Sequence, residues 1–226
     1  MSAVGESCQD GTVSVIAVFP PLGLRIEAGP LVLRPVSDDV IPQLAELALS
    51  GIHDSNSMPF AYPWTDAARE VLPTEFAQYH WSNRARWSQA AWSLDFAVEH
   101  EGELVGTQGI ATRDYVSTRT GETGSWLALQ HQGRGIGTQM RQALCAFMFD
   151  YAGASEVTSA AFTDNAKSLA VSRKVGYRPD GDVRVQRRHE LAISRRLVLT
   201  PEAFVRGDAI TVTGAEAFRA FIGLDS

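Results

Sequence analysis

The sequence feature that most constrains the fold is a glycine-rich turn at residues 132–137, with the sequence QGRGIG. The apolar segment at residues 122–129 precedes it and predicts a β-strand. After the turn, Met140, Leu144 and Phe147 recur at the spacing of a buried helix face. A strand, a tight turn and a helix in direct succession indicate an α/β-type domain in which a helix begins at the end of a strand.

The turn has the chemistry of an anion site. A helix N-terminus carries unpaired N–H groups and a partial positive charge, and glycine permits positive φ and close approach of a ligand. A P-loop would need Lys followed by Ser or Thr directly after the glycines, and Thr138 and Gln139 stand there instead. The third glycine of a dinucleotide fingerprint would fall on Thr138 or Met140. The turn therefore predicts phosphate binding of a third kind, with a purely structural glycine turn as the alternative.

Two segments carry a family resemblance. Gln132, Gly135 and Gly137 match the pattern Q/R-x-x-G-x-G/A, which resembles the pyrophosphate loop of the GCN5-related N-acetyltransferases (GNAT). Residues 163–181 resemble a later motif of the branch containing ribosomal-protein alanine N-acetyltransferases. The matching positions of that motif are Asn165, Ser168, Val171, Lys174, Gly176, Tyr177 and Gly181. The resemblance extends from about residue 24 to residue 200.

The resemblance implies an α/β (α+β) fold. Its central sheet is mixed and mostly antiparallel, splayed at the cofactor site, with helices on both faces. We expect residues 1–22 to be a weakly ordered extension, residues 23–200 the acyltransferase domain, and residues 201–226 a C-terminal helical appendage. After a short extended lead at 24–27, strands are predicted at 31–35, 94–98, 104–112, 122–129 and 156–162, with a hairpin in 177–199. Helices are predicted from a cap at Ser37 to Gly51, from 74 to 91 after a break at Pro73, after the glycine turn, and at 165–175.

The resemblance also implies an acyl-CoA cosubstrate. Backbone groups at residues 127–129 would hold the pantetheine arm, amides at residues 133–138 would hold the pyrophosphate, and residues of the following helix would add further contacts. The residues predicted to bind the cofactor are Leu127, Ala128, Leu129, Gln132, Gly133, Arg134, Gly135, Ile136, Gly137, Thr138, Asn165, Ser172 and Arg173.

The implied reaction is direct attack of a neutral amine on the thioester, without an acyl-enzyme. At pH 7 about one-tenth of α-amino groups and far fewer lysines are neutral, so a general base is expected. Glu122 is the candidate base, with an exposed strand carboxylate as the alternative. Ser168 is the candidate for protonating the leaving thiolate, with Ser172 in reserve; an N-cap or surface serine is the alternative.

The aromatic segment at residues 53–64 and the strand before the turn suggest an acceptor or acyl pocket. Its predicted members are His53, Met58, Trp64 and Trp126, although such residues also pack on cores. The acceptor is a peptide N-terminus, a lysine or a small amine, and the donor carries acetyl, succinyl or another acyl group. A CoA-binding regulatory module without turnover is the competing function.

Composition excludes other classes. The chain has 26 acidic against 20 basic residues and a net charge of -6, which argues against nucleic acid and anionic membranes as partners. Its two cysteines and five histidines show no disulfide framework and no metal-ligand spacing, so we expect no metal. A reducing cytoplasm is predicted, and the resemblance implies a homodimer as a further expectation.

Overall fold

A computed structural model describes residues 13–225 of the chain. It contains one nine-stranded sheet in the order β7-β8-β6-β5-β4-β3-β2-β1-β9. The strands are β1 (Arg25–Ala28), β2 (Leu31–Pro35), β3 (Ala91–His100), β4 (Glu103–Arg113), β5 (Thr120–Leu127), β6 (Glu156–Phe162), β7 (Arg178–Arg187), β8 (Glu190–Leu199) and β9 (Ile210–Thr213). The β5–β6 pair is parallel and the other paired strands are antiparallel. The predicted fold class is confirmed.

Helices cover both faces of the sheet. They are α1 (Val15–Val18), α2 (Ile41–Leu49), α3 (Leu72–Ala85), α4 (Tyr115–Thr118), α5 (Ile136–Asp150), α6 (Ala166–Val175) and α7 (Ala215–Phe221). Because side chains alternate along a strand, neighbours such as Phe96 and Ala97 point into different cores. Phe96 packs in the core under α5, whereas Ala97 packs in the core under α2 and α3.

Two helix boundaries differ from the sequence prediction. Ser37 does not cap α2, because its hydroxyl bonds to Asp39 and the N-cap position is Val40. Pro73 does not break a helix but lies in the first turn of α3, where a missing N–H costs nothing. This helix ends at Ala85 rather than residue 91, since β3 begins at Ala91.

The C-terminal segment is part of the sheet and the main core, so the prediction of a helical appendage is wrong in this respect. Strand β9 pairs with β1, placing Val212 opposite Ile26. Phe218 and Ile222 from the α7 region are 0% exposed in the core under α5. The segment was misread because a four-residue strand has too short a pattern to be distinguished from a loop.

The predicted N-terminal extension lies partly outside the described residues, which begin at 13. Its described part contains α1 and a 3₁₀ turn at Pro20–Gly23. The Phe19 ring lies 5.1 Å from Trp87 and 5.4 Å from Phe221, centroid to centroid. Residues near the predicted boundary therefore pack on the domain.

Candidate functional site

Strands β5 and β6 separate midway along their length. Their pairing runs from Thr120 opposite Glu156 to Thr123 opposite Ser159 and then stops, while β5 continues to Leu127. Residues 124–127 remain paired with β4 on their other side. The β6-facing edge of residues 124–127 therefore has no strand partner in the described chain. This edge leads directly to the glycine turn.

The glycine turn presents an open set of amides. Gly133 has φ 77° and Gly135 has φ 89°, a left-handed backbone that favours glycine. A Cβ added at either position would meet nothing within 4 Å in the described part of the chain. The N–H groups of residues 133–137 donate to no acceptor among residues 13–225. Since they stand at the positive end of the 15-residue helix α5, the turn suits an anion.

Gln132 supports the turn from behind and is not free to bind a ligand, contrary to the sequence prediction. Its Nε2 donates to the carbonyls of Ile52 at 2.6 Å and Leu127 at 2.9 Å. Its Oε1 accepts from Lys167 Nζ at 3.1 Å. The side chain thus joins three segments of the fold and fixes where the turn begins.

We expect Gln132→Ala to weaken CoA binding several-fold and to lower the free energy of unfolding by about 1–3 kcal/mol, because two buried carbonyls lose their donor. Calorimetry and denaturant unfolding measure the two effects. The exposed neighbour Gln130 provides the matched control, Gln130→Ala, which should change neither quantity. If Gln132→Ala and Gln130→Ala had the same CoA affinity and the same free energy of unfolding, Gln132 would not support the glycine turn.

The predicted pantetheine contacts need correction. The amides of Ala128 and Leu129 already donate to the carbonyls of Val105 and Gly51, each at 3.0 Å. The Leu127 carbonyl accepts from Gln132. These groups are occupied because the chain turns away from the sheet after β5. The open backbone edge lies at residues 124–127 apart from the Leu127 carbonyl.

The predicted residues of α6 differ in their access to solvent. Asn165 is the N-cap, its Oδ1 accepting from the amide of Ser168 at 3.1 Å. Ser168 is half-buried and Arg173 is exposed. Ser172 is 1% exposed, with its hydroxyl lacking a hydrogen-bond partner among the described residues. Burial thus argues against Ser172 as a cofactor contact or reserve acid.

The remaining predicted turn residues also divide by burial. Arg134 is exposed, and Thr138 is half-buried in the first turn of α5. Ile136 is 1% exposed, so its side chain belongs to the core and only its amide faces the turn. Gly137 lies close to the core, since a Cβ there would stand 3.6 Å from both Leu127 and Val171.

The predicted pocket residues come together around the loop between α2 and α3. His53 Nε2 lies 2.7 Å from the hydroxyl of Thr65. The Trp64 ring lies 6.0 Å from that of Trp126 on β5, which brings this loop against the strand of the site. Met58 is only 3% exposed, so it packs beneath the loop rather than lining an open pocket.

Sequence reasoning missed Arg141, a buried residue at the point where β5 and β6 separate. Arg141 is 4% exposed and has no carboxylate partner among residues 13–225. Its guanidinium donates to Gln108 at 3.3 Å, Ser159 at 3.2 Å and Ser125 at 3.0 Å, on β4, β6 and β5 respectively. The available signal was its position four residues after Gly137 on the buried face of α5.

Cys145 lies on the same helix face. Burial raises the pKa of its thiol to about 11, and its sulfur lies 3.4 Å from the Tyr177 hydroxyl. A neutral, buried thiol is a poor nucleophile. This environment argues against an acyl-cysteine intermediate.

Comparison with known proteins decides the family. The profile of the acetyltransferase (GNAT) domain matches residues 30–178. The chain belongs to the GNAT acetyltransferase family. The assignment confirms the resemblance seen in the glycine turn and in residues 163–181. A protein of Bacillus subtilis (strain 168), YdaF, provisionally named a ribosomal N-acetyltransferase, is 31% identical over 91 residues. That match spans 40% of this chain and 49% of YdaF, about half its length.

Solved GNAT structures share the fold. A RimL ribosomal L7/L12 alpha-N-protein acetyltransferase in complex with coenzyme A superposes with TM-score 0.64 and 17% identity, covering 78% of this chain and 97% of that one. Mycobacterium smegmatis RimJ in complex with CoA-disulfide superposes with TM-score 0.64 and 20% identity, covering 88% of this chain and 92% of that one. A spermidine N-acetyltransferase SpeG chimera from Vibrio cholerae and hSSAT superposes with TM-score 0.59 and 15% identity, covering 76% of this chain and 96% of that one.

Neither a membrane-spanning helix nor a cluster of metal ligands is found in residues 13–225. No described helix combines the length and apolar character needed to cross a membrane. Within the same residues, no group of three or more His, Cys, Asp or Glu side chains is placed to hold a metal ion.

Proposed function

We propose that this chain transfers an acyl group from coenzyme A to a primary amine within a ternary complex. The observation that carries the proposal is the run of unpaired amides at residues 133–137, at the N-terminus of α5 and beside the open edge of β5. A diphosphate fits such a set of donors, and an extended pantetheine arm fits an unpaired strand edge.

The residues divide the binding between them. The amides of residues 133–137 would hold the diphosphate, with the exposed Arg134 and Arg173 contributing positive charge. The edge at residues 124–127 would pair with the pantetheine amides. Arg141 fixes β4, β5 and β6 relative to one another where this edge begins. Ser168 remains the proposed donor to the leaving thiolate, and Glu122, exposed on β5, remains the sequence candidate for the base.

The donor and acceptor are proposed from the relatives' names and from the site. Acetyl-CoA is the first donor to test, with succinyl-CoA as the charged alternative. RimL and SpeG are named for a ribosomal protein N-terminus and for spermidine, so both amine classes are acceptor candidates. The aromatic loop around Trp64 and Trp126 would border the acceptor. We further propose a cytoplasmic homodimer, which size-exclusion chromatography with light scattering tests for the oligomeric state.

A two-stage experiment tests the function. Calorimetry with CoA and acetyl-CoA measures donor binding, and thiol release with an N-terminal serine or alanine peptide and with spermidine measures transfer. Donor binding followed by acceptor-dependent thiol release supports the acyltransferase. Donor binding without thiol release for any amine would favour the regulatory module, and absence of donor binding would contradict both functions.

We expect Gly135→Ala to weaken CoA binding at least tenfold, because its Cβ would enter the open space before the amides. The left-handed backbone of Gly135 also strains any L-residue, so a strain control is needed. Gly102→Ala is this control. Gly102 has φ 82°, and a Cβ there would also meet no described atom within 4 Å, but the residue lies in the β3–β4 turn. If Gly135→Ala retained CoA binding, the proposed diphosphate site at the amides of residues 133–137 would be contradicted. If Gly135→Ala and Gly102→Ala lost CoA binding equally, backbone strain would be the cause.

A further inference from the structure

The sheet register aligns a carboxylate with two glycines on the face that α2 and α3 cover. Asp95 on β3 lies opposite Gly109 on β4, and Gly109 lies opposite Gly124 on β5. Directly paired residues of antiparallel strands project to the same face. The row next to it contains Ala97, opposite Thr107, which is opposite Trp126, and Ala97 belongs to the core under α2 and α3. The glycine row therefore forms a side-chain-free strip on that face.

The Asp95 carboxylate lies across the first part of this strip. A Cβ on Gly109 would stand 2.1 Å from Asp95 Oδ1, so the oxygen occupies the space that a side chain on β4 would fill. The other oxygen, Oδ2, lies 3.4 Å from Asn83 Nδ2 and 3.6 Å from His80 Nδ1, both on α3. One side of the carboxylate is thus fixed by the helix, and the other points along the sheet.

The second part of the strip is open. A Cβ on Gly124 would meet no atom of residues 13–225 within 4 Å, and Gly124 is exposed. We call Gly109 and Gly124 the glycine shelf. Gly124 is the first β5 residue beyond the last pair with β6, so the shelf ends at the gap between the two strands. Because adjacent strands lie about 4.8 Å apart, an atom above Gly124 is roughly one strand spacing from the carboxylate above Gly109.

We propose that Asp95, rather than Glu122, receives the acceptor amine on the glycine shelf and takes its proton. The proposal rests on the acyltransferase function. An ammonium nitrogen above Gly124 gives one proton to the Asp95 carboxylate and attacks the thioester carbon. The N–C bond forms, the C–S bond breaks, the CoA thiolate takes a proton from the Ser168 hydroxyl, and the second proton leaves the nitrogen to restore that hydroxyl. Asp95 then releases its proton to solvent.

The surroundings of Asp95 fit this role. Its side chain is 18% exposed, and burial raises its pKa to about 6, partly opposed by hydrogen bonds from Tyr79 and Asn83. The titratable groups facing it from α3 are Tyr79 and His80, and burial lowers the pKa of His80 to about 4. The nearby Arg84 is paired with Asp38. At pH 7 to 8 Asp95 is therefore an anion without a cationic partner among residues 13–225, with a pKa nearer to neutrality than an ordinary carboxylate.

Glu122 provides the contrasting case. It lies on β5 two residues before Gly124 and on the same face, but it is exposed. Water screens a solvated carboxylate, so it attracts an ammonium less strongly than a buried carboxylate does. The Asp95 carboxylate is largely buried and held in one orientation by α3, so it is favoured over Glu122 as the group that receives the amine.

The test compares Asp95→Asn, Asp95→Glu and Glu122→Gln by thiol release from acetyl-CoA, with spermidine and the serine or alanine peptide as acceptors, between pH 5 and 9. Asp95→Asn should lower kcat/KM about 100-fold, the scale of general-base catalysis, and abolish the acidic limb of the wild-type profile near pH 6. Asp95→Glu should retain the limb at a reduced rate. CoA affinity by calorimetry should stay within about twofold for Asp95→Asn, because the expected loss concerns the acceptor.

Two further variants separate chemistry from structure. Gly109→Ala keeps the carboxylate but displaces it, since the new Cβ would overlap Oδ1, and should also lower kcat/KM. Asp180→Asn, an exposed carboxyl on the distant strand β7, should leave the rate and profile unchanged. A wild-type rate and an intact limb in Asp95→Asn, or loss of the limb only in Glu122→Gln, overturns the proposal. If the acyltransferase function itself is wrong, the wild-type protein will bind no CoA or release no thiol, which distinguishes that outcome from failure of the Asp95 proposal.

Discussion

Replacing Phe218 with alanine is expected to lower the free energy of unfolding by about 3–5 kcal/mol, the usual cost of deleting a buried phenyl ring. Phe218 is 0% exposed, and its ring centroid lies 5.5 Å from that of Trp92 and 5.6 Å from that of Phe147. The surrounding side chains come from β3 and α5, which cannot move together to fill the cavity. Denaturant unfolding followed by tryptophan fluorescence measures the loss.

Val205 supplies the control within the same C-terminal segment. It is 51% exposed, and Val205→Ala should change the free energy of unfolding by less than about 0.5 kcal/mol. A small effect of Phe218→Ala would show that residues 201–226 are the separable appendage that the sequence suggested.

Gly106→Ala is expected to cost about 3 kcal/mol in unfolding free energy and to weaken CoA binding at least tenfold. A Cβ on Gly106 would stand 2.1 Å from the Trp126 carbonyl oxygen and 2.9 Å from the Leu127 Cα. Both contacts are backbone, so β5 itself must move away from β4. That movement would displace the edge at residues 124–127, which we propose to hold the pantetheine arm.

Unfolding and calorimetry on Gly106→Ala and Gly102→Ala measure these two effects. The control lies on the same hairpin, where a Cβ has open space, so it should leave CoA binding unchanged. A stable Gly106→Ala protein that binds CoA normally would show that the geometry of β5 at Trp126 and Leu127 is unimportant for the cosubstrate.

The sequence predicted the fold well where local signals are strong. The strand at Glu156–Phe162 was predicted with the same bounds, because an apolar segment of that length lies between clear turns. Helix α5 follows directly from its glycine N-terminus and apolar spacing. The strand β9 was missed, because it is defined by pairing with a strand at the opposite end of the chain.

The sequence predicted some residues of the candidate site but not the contacts that they make. Spacing alone located the glycine turn. The sequence could not show that Gln132 is occupied by Ile52 and Leu127, since those contacts are tertiary. The alignment of Asp95 with the glycine shelf depends on strand register, which is set by the sheet as a whole.

The pairing of β1 with β9 has a consequence for how the protein assembles. Ile26 meets Val212, so this edge of the sheet joins residues separated by most of the described chain. Contacts between such distant residues close a long loop and form slowly. The ring of Trp92 lies against Phe218, so its emission should report this closure. We therefore expect this edge, which lies far from the β5–β6 gap, to be completed late in refolding.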